Sequence, residues 1–214
     1  LQEYREGLRE GLRHRWFVGG LGALVVWLSL AYSVQQLVLP LVSRGHFGGD
    51  TLIGIALGAY SAGAVIGALL LGHWTPRRPG VVAFLALSLY GLVPLALFVG
   101  DQSWLIVLAY LLGGFGIEVF NIPWFTAIQR EVPSDKLGQV SALDFLVSYG
   151  VAPLGLAGLP LLFDVVGQST VLVGCGLLTM VAALAVLAIP GSPVMSDPRK
   201  SQQPRTAQVQ PPAG

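Results

Sequence analysis

Two carboxylates lie inside the most apolar parts of this sequence. Glu118 is in the middle of an apolar run of about 25 residues, and Asp144 comes five residues into the next run. Charged side chains are costly within a bilayer, so they usually face a bundle interior or a water-filled cavity and mark the route of an ion or substrate. Both residues are therefore candidates for proton coupling, and Glu118 is also a candidate counter-charge for a cationic substrate.

Each carboxylate also has a structural interpretation. Glu118 can be a protonated, hydrogen-bonded group that fixes helix packing. Asp144 is about 7 Å from the start of its run at 1.5 Å per helical residue, which places it near one membrane surface. There it can act as a latch between transport states, because the helix macrodipole favours an acidic group in the first turns and a loop arginine can pair with it.

The elements that hold these residues are long apolar segments. Hydrophobic residues make up 54% of the 214-residue chain, charged residues make up 11%, and the mean hydropathy is +0.71. Soluble domains have roughly 25% charged residues, and about 20 apolar residues cross a hydrocarbon core. The sequence therefore predicts an all-α membrane protein with six transmembrane helices, at 16–42, 52–74, 81–99, 104–128, 139–163 and 170–189.

Basic residues predict the orientation of the chain. Eleven of the twelve Lys and Arg residues precede the first span or follow the second, fourth and sixth spans, and Arg44 alone is on the opposite side. Basic residues favour the cytoplasmic side, so both termini are predicted to be cytoplasmic. Residues 1–15 have helical apolar spacing and predict an amphipathic linker along the membrane. Residues 190–214, rich in Pro, Ser and Gln, predict a disordered cytoplasmic tail.

A faint internal repeat relates the second and fifth spans. The segments LGAYSAGAVIG at 57–67 and LVSYGVAPLG at 146–155 share a register at an offset of 89 residues. Secondary transporters are often built from inverted repeats, so the first three and last three spans are predicted to form a 3+3 inverted pair. Four tryptophans near span ends are expected at the membrane interfaces: Trp16, Trp74, Trp104 and Trp124.

Polar and aromatic side chains within the spans are candidates for a substrate cavity. Asn121 is three positions after Glu118, so both project from one helical face. Gln35 and Gln36 are adjacent, so at most one of them faces a cavity and the other bonds to a neighbouring helix. Tyr149 can stack on an aromatic substrate, or it can simply pack.

Four residues at the predicted cytoplasmic side are candidates for gating. Arg77 and Arg78 follow the second span and can bind acidic groups across that side, or they can serve topology alone. Gln129 and Arg130 follow the fourth span and occupy the same side.

Several motifs resemble the carboxyl-terminal half, helices seven to twelve, of major facilitator superfamily transporters, and most of all a bacterial drug- and macrolide-efflux branch. They are QREVP at 129–133, LGQVS at 137–141, PLG at 153–155, the opening REGLREGLRHRW at 5–16 and the loop GHWTPRRPG at 72–80. One departure is Gln139, where that branch commonly has Arg.

This resemblance implies a function and a set of partners. It implies proton-coupled export of a hydrophobic or cationic small molecule by alternating access, as in antiporters of multidrug resistance, in the bacterial cytoplasmic membrane. The binding cavity of such proteins is normally shared between two halves. The implied partners are therefore the lipid bilayer, a small-molecule substrate, protons, and either an amino-terminal six-helix half or a second copy.

Two other functional classes compete with this one. A non-transporting membrane scaffold or regulator derived from a transporter half would not need Glu118 to titrate. An intramembrane enzyme is disfavoured, because no His lies in mid-membrane and no His-Glu-x-x-His run or phosphate-cradling loop occurs. The sequence predicts no metal site, cofactor or nucleic-acid partner, and the lone Cys175 is interpreted as a small buried hydrophobe.

Overall fold

The computed structural model describes residues 13–196, apart from the side chain of Ser148. Its regular elements in that range are all helical, and six helices are long and apolar enough to cross a membrane. The predicted all-α fold with six spans is therefore confirmed. The helices are α1 Arg15–Phe47, α2 Thr51–His73, α3 Pro79–Val99, α4 Ser103–Glu131, α5 Leu137–Val166 and α6 Gln168–Ala188. Most of the predicted amphipathic linker lies outside the described residues.

Short turns join these helices, and the two ends of the bundle use different residues to make them. Gly48 follows α1, Gly100 follows α3 and Gly167 follows α5, with φ angles of 70°, 67° and 85°. Glycine is the usual residue for this left-handed conformation after a helix because it has no Cβ. At the opposite end, Pro76 precedes α3 and Pro133 precedes α5. Sequential helices consequently run antiparallel.

One tight helix pair is formed by α2 and α4. Gly63 of α2 faces the carbonyl oxygen of Leu111, and Gly114 of α4 faces the carbonyl oxygen of Tyr60. A Cβ atom at either glycine would overlap the facing backbone. Small residues at an interface allow such close approach of two helices within a membrane.

A second tight pair is formed by α1 and α5. Gly155 of α5 faces the carbonyl oxygen of Ser29, and a Cβ there would overlap it. The hydroxyl of Ser33 lies 3.4 Å from the carbonyl oxygen of Ala152. An inverted repeat exchanges the second helix with the fifth and the fourth with the first, so this pair is the counterpart of α2 and α4. The predicted 3+3 arrangement is thus present in the packing.

The contact between α1 and α5 coincides with an irregular turn of α1. Residues Leu28–Tyr32 form a π-helical turn in the middle of that helix. A π turn inserts one residue into the helical repeat and is frequent at functional sites. It changes the direction in which all later side chains of α1 point.

Aromatic rings fill the core between α1 and α4. Phe17 stacks on Trp124 with ring centroids 5.4 Å apart and an interplanar angle of 8°. Phe120 stacks on the same indole at 5.4 Å, and Trp16 meets it edge-on at 5.6 Å. Gly20 leaves the space that the Trp124 ring occupies.

Two of the four tryptophans expected at the membrane interfaces face the interior of the bundle and not its outer surface. Trp16 and Trp124 are 1% and 0% exposed, because both point from their helices into the bundle. Trp74 and Trp104, which are also close to helix ends, are 46% and 62% exposed.

The chain folds back on the bundle after α6. Residues 190–196, called here the strap, lie against the start of α3 and the end of α4. The Gly80 amide in the first turn of α3, which lacks an intrahelical acceptor, donates to the Pro193 carbonyl at 3.0 Å. Arg130 Nη2 donates to the carbonyl oxygens of the next two residues at 3.3 and 2.9 Å. Residues 190–196, which the sequence analysis assigned to a disordered tail, thus make specific contacts with the bundle. Residues 197–214 of that predicted tail lie outside the described residues.

Candidate functional site

A cavity of about 320 Å³ lies between the two tight helix pairs. Half of its lining side chains are aromatic, two are carboxylates, and none is basic. The helices α1, α2, α4 and α5 form its wall, whereas α3 and α6 contribute no lining residue. The lining comprises Leu24, Trp27, Leu28, Tyr32, Tyr60, Ala64, Ile117, Glu118, Asn121, Trp124, Phe125, Asp144, Phe145 and Tyr149.

Several residues that line the cavity are related to one another by the internal repeat. Three pairs of its lining residues are separated by 89 positions, which is the offset of the sequence repeat. The pairs are Leu28 with Ile117, Tyr32 with Asn121, and Tyr60 with Tyr149. Residues related by the repeat therefore face each other across one space, as in transporters whose sites lie at the repeat interface.

Glu118 lies at the centre of α4, fifteen residues after Ser103 and thirteen before Glu131. Its side chain is half-buried and lines the cavity beside Asn121, one turn away, as the sequence predicts. No hydrogen bond or ion pair reaches its carboxylate from the described residues. A purely structural role for Glu118 would require a hydrogen-bond partner, and that part of the chain provides none. The carboxylate can therefore interact with a ligand or ion that enters the cavity.

Asp144 lies in the same cavity and is 3% exposed. The helix begins at Leu137, so Asp144 is about 10 Å from its start rather than 7 Å. The indole Nε1 of Trp124 donates to Asp144 Oδ1 at 3.2 Å. This bond joins α4 to α5, and it takes the place of the loop arginine that the sequence suggests as a partner.

A row of aromatic rings forms the wall of the cavity on α4 and α5. Phe125 stacks on Phe145 with centroids 6.2 Å apart, and Phe145 stacks on Tyr149 at 5.7 Å. The side chains of Phe145 and Tyr149 are 50% and 59% exposed, so part of each ring is accessible. Tyr149 thus occupies the position predicted for it at the cavity.

Neither of the two glutamines of α1, of which at most one was expected to face a cavity, is among the residues that line this one. Gln35 is buried and accepts a hydrogen bond from the hydroxyl of Tyr90 on α3. Gln36 is exposed, with Nε2 3.5 Å from the hydroxyl of Tyr32. The predicted bond to a neighbouring helix is made by Gln35. The π turn that precedes both residues rotates them relative to a regular helix.

The predicted gating residues are at the end of the bundle where α2 and α4 finish. Arg77, Arg78 and Gln129 are exposed. Arg130 binds the strap and lies 3.1 Å from Glu131. It also lines a second cavity of about 260 Å³ between the end of α2 and the end of α4. None of these residues is near Glu118 at the central cavity.

Most of the lining residues were not identified from the sequence as cavity residues, among them the aromatic residues Trp27, Tyr32 and Tyr60. A signal for two of them existed in the repeat. Tyr60 is the counterpart of the predicted Tyr149, and Tyr32 is the counterpart of the predicted Asn121.

Six antiparallel spans, an inverted repeat and a cavity with a carboxylate that has no bonding partner among residues 13–196 together define a multi-pass helical membrane protein with the architecture of a secondary transporter. The sequence model of the Major Facilitator Superfamily matches residues 14–213. The chain belongs to this family of transporters, and its fold is the six-helix unit of the family.

Curated relatives include two exporters. The chain is 31% identical over 135 residues to the enterobactin exporter EntS of Escherichia coli O1:K1 / APEC, and equally to that of Escherichia coli O45:K1 (strain S88 / ExPEC). Each match covers 59% of this chain but 30% of the relative, so the chain spans well under half of the relatives' length. No solved structure matches it significantly.

Proposed function

We propose that this chain is one six-helix half of a secondary exporter that moves a hydrophobic aromatic or cationic small molecule out of a bacterial cell in exchange for protons. The observation that carries the proposal is the carboxylate of Glu118, which faces the central cavity at mid-helix without a bonding partner among the described residues. The family and the two exporters among its relatives support transport and export in general.

The chemistry of the cavity wall supports a cationic substrate. A cation over an aromatic face is attracted by the ring quadrupole, most strongly where water is excluded. The wall offers seven aromatic side chains and two carboxylates and no basic residue to oppose a cation. An anion would meet two carboxylates there and no basic side chain among the lining residues.

Proton exchange follows from the same arrangement. A carboxyl group in an apolar cavity is stable either when protonated or when a cation neutralises it. Binding of a cationic substrate to Glu118 would therefore release a proton, and reprotonation would release the substrate. Asp144 is held by Trp124, so in this proposal it acts mainly as the clasp between α4 and α5 and only secondarily in coupling.

A second helical half completes the proposed transporter. The least buried helices are α2 and α5, with 22% and 12% of their most apolar windows buried against 39–56% for the other four. Both border the cavity, so the poorly covered faces adjoin it. The length of the relatives beyond the matched region favours an amino-terminal six-helix half as the occupant, with both termini of this chain in the cytoplasm. A second copy of the chain is the other outcome, and crosslinking across α2 and α5 distinguishes the two.

Transport of ethidium into inverted membrane vesicles tests the proposal. With the full-length protein, an acid-inside pH gradient should drive ethidium uptake. Glu118→Gln should abolish the dependence on the gradient, whereas Asp164→Asn, an exposed position near the end of α5, should leave it intact. Gradient-driven uptake that survives Glu118→Gln would exclude coupling through this residue. Absence of ethidium uptake by the unmodified protein would favour the non-transporting scaffold.

A further inference from the structure

The second cavity, at the end of the bundle where α2 and α4 finish, is separate from the central one. It has a volume of about 260 Å³ and shares no lining residue with the central cavity. On α4, Ile122 and Thr126 line the second cavity, whereas the residues just before them, Asn121 and Phe125, line the central one. Pro79, the first residue of α3, also lines the second cavity. The second cavity therefore adjoins a different side of the α2 and α4 pair, beside the start of α3.

The lining of this cavity changes from apolar to basic toward the end of α4. Leu71 and Ile122 belong to a small apolar cluster among α2, α3 and α4. Arg130 comes eight residues after Ile122, about 12 Å further along α4, and is the only charged residue that lines the cavity within residues 13–196. Thr75 and Thr126 add hydroxyl groups to the lining. The cavity thus suits a ligand that is apolar at one end and anionic at the other.

The guanidinium group of Arg130 has hydrogens left for such a ligand. Its Nε donates to Oε1 of Glu131 at 3.1 Å, and its Nη2 donates to the strap. A guanidinium has five N–H donors, and Nη1 makes no hydrogen bond to the described residues. The side chain is 50% exposed. The two sets of bonds hold the group in place, and the free edge is available to an anion.

The loop between α2 and α3 brings more positive charge to the cavity. Arg77 and Arg78 are exposed, and the residues on either side of them, Pro76 and Pro79, line the cavity. These two arginines offset the negative charge of the carboxylate bound to Arg130. Trp74, at the end of α2, lines the cavity and is 46% exposed. Tryptophan at a span end lies at the level of the lipid headgroups, so the polar end of the cavity is at headgroup depth.

We propose that this cavity binds an anionic phospholipid from the leaflet on the predicted cytoplasmic side. The phosphate group lies at Arg130, the first part of an acyl chain lies against Leu71 and Ile122, and the rest of the lipid stays in the bilayer. Basic pockets between transmembrane helices are known to bind anionic headgroups in this way. A free phosphate would use only the polar end and leave the apolar wall uncovered. The inference goes beyond the proposed function, because it needs no transported substrate and no titration of Glu118.

Lipid binding to the full-length protein, measured by native mass spectrometry from detergent, tests this site. Dioleoylphosphatidylglycerol and dioleoylphosphatidylcholine have the same acyl chains and differ in net charge. One basic residue at the headgroup predicts that the first phosphatidylglycerol binds about fivefold more tightly than phosphatidylcholine. Arg130→Gln should reduce this preference to less than about twofold. Glycerol 1-phosphate, which has no acyl chain, should bind at least about tenfold more weakly than phosphatidylglycerol.

Three further variants separate the site from general charge and from the strap. Arg15→Gln is the matched control, because Arg15 is exposed at the same end of the bundle and does not line the cavity. It should keep the preference for phosphatidylglycerol. Gly80→Ala places a Cβ against the Ser192 carbonyl oxygen, which displaces the strap without removing Arg130, and it should also keep the preference. Thr126→Phe fills the cavity from an exposed position and should weaken phosphatidylglycerol binding at least about threefold.

Several results would overturn the inference. Equal binding of the two lipids by the unmodified full-length protein would show that another part of the protein covers the cavity or that it does not select anionic lipid. Loss of the preference in Arg15→Gln would assign it to general surface charge, and loss in Gly80→Ala would assign it to the strap. Glycerol 1-phosphate binding as tight as that of the lipid would identify a small-anion site instead. Unchanged lipid binding by Thr126→Phe would place the lipid elsewhere.

Discussion

Gly63→Ala tests how closely α2 approaches α4. A Cβ at this position would overlap the Leu111 carbonyl oxygen and would lie 2.9 Å from the Phe115 amide nitrogen. Backbone cannot rotate away as a side chain can, so the helices must separate. Overpacking of this kind destabilises a protein by about 1–3 kcal/mol. Replacing glycine by alanine within a helix stabilises it by up to about 1 kcal/mol. The cost is at the upper end because both neighbours are backbone atoms, so the free energy of unfolding should fall by about 2 kcal/mol.

The matched control is Gly58→Ala on the same helix. No atom lies within 4 Å of a Cβ there, so only the gain in helix propensity remains. Thermal unfolding in detergent, followed by circular dichroism, should show a Tm about 4–8 °C lower for Gly63→Ala. Gly58→Ala should leave the Tm unchanged or raise it slightly. Equal Tm values for the two variants would refute the close backbone contact.

Three other predictions follow from specific contacts. Trp124→Phe keeps a ring in the aromatic core but removes the donor to Asp144, which should lower unfolding free energy by about 1–3 kcal/mol; adding Asp144→Asn should recover part of this loss, and no recovery would argue against the bond. Arg130→Gln removes two hydrogen bonds to the strap, so amide hydrogen exchange in residues 190–196 should accelerate while exchange in α1 is unaffected. Cys175 is 4% exposed, so maleimide should label it only on unfolding; rapid labelling of the folded protein would contradict the packing of α6.

Much of the fold could be predicted from the sequence because span length is a strong signal. Runs of about 20 apolar residues separated by short Gly- and Pro-containing turns leave few alternatives to six antiparallel helices. Glu118, Asn121, Asp144 and Tyr149 were likewise identifiable, because polar groups within such runs need a cavity.

The features that the sequence did not predict concern the rotation of helices about their own axes, which sets the direction of each side chain. Depth along a span indicated an interface for Trp124, but the direction of its side chain is set by packing against α1. The π turn in α1 adds a residue before Gln35 and so rotates it toward Tyr90, which a regular period of 3.6 does not predict. The bond between Trp124 and Asp144 joins residues of different helices, and nothing local in the sequence specifies it.

The two glycine-mediated pairs have a mechanical consequence. Because α2 is pressed onto the backbone of α4, and α1 onto that of α5, neither pair can slide internally without steric overlap. The two helices of each pair, which we call a beam, should therefore move together as one rigid body. The width of the central opening then changes only by a tilt of one beam against the other, with the bond between Trp124 and Asp144 as a pivot.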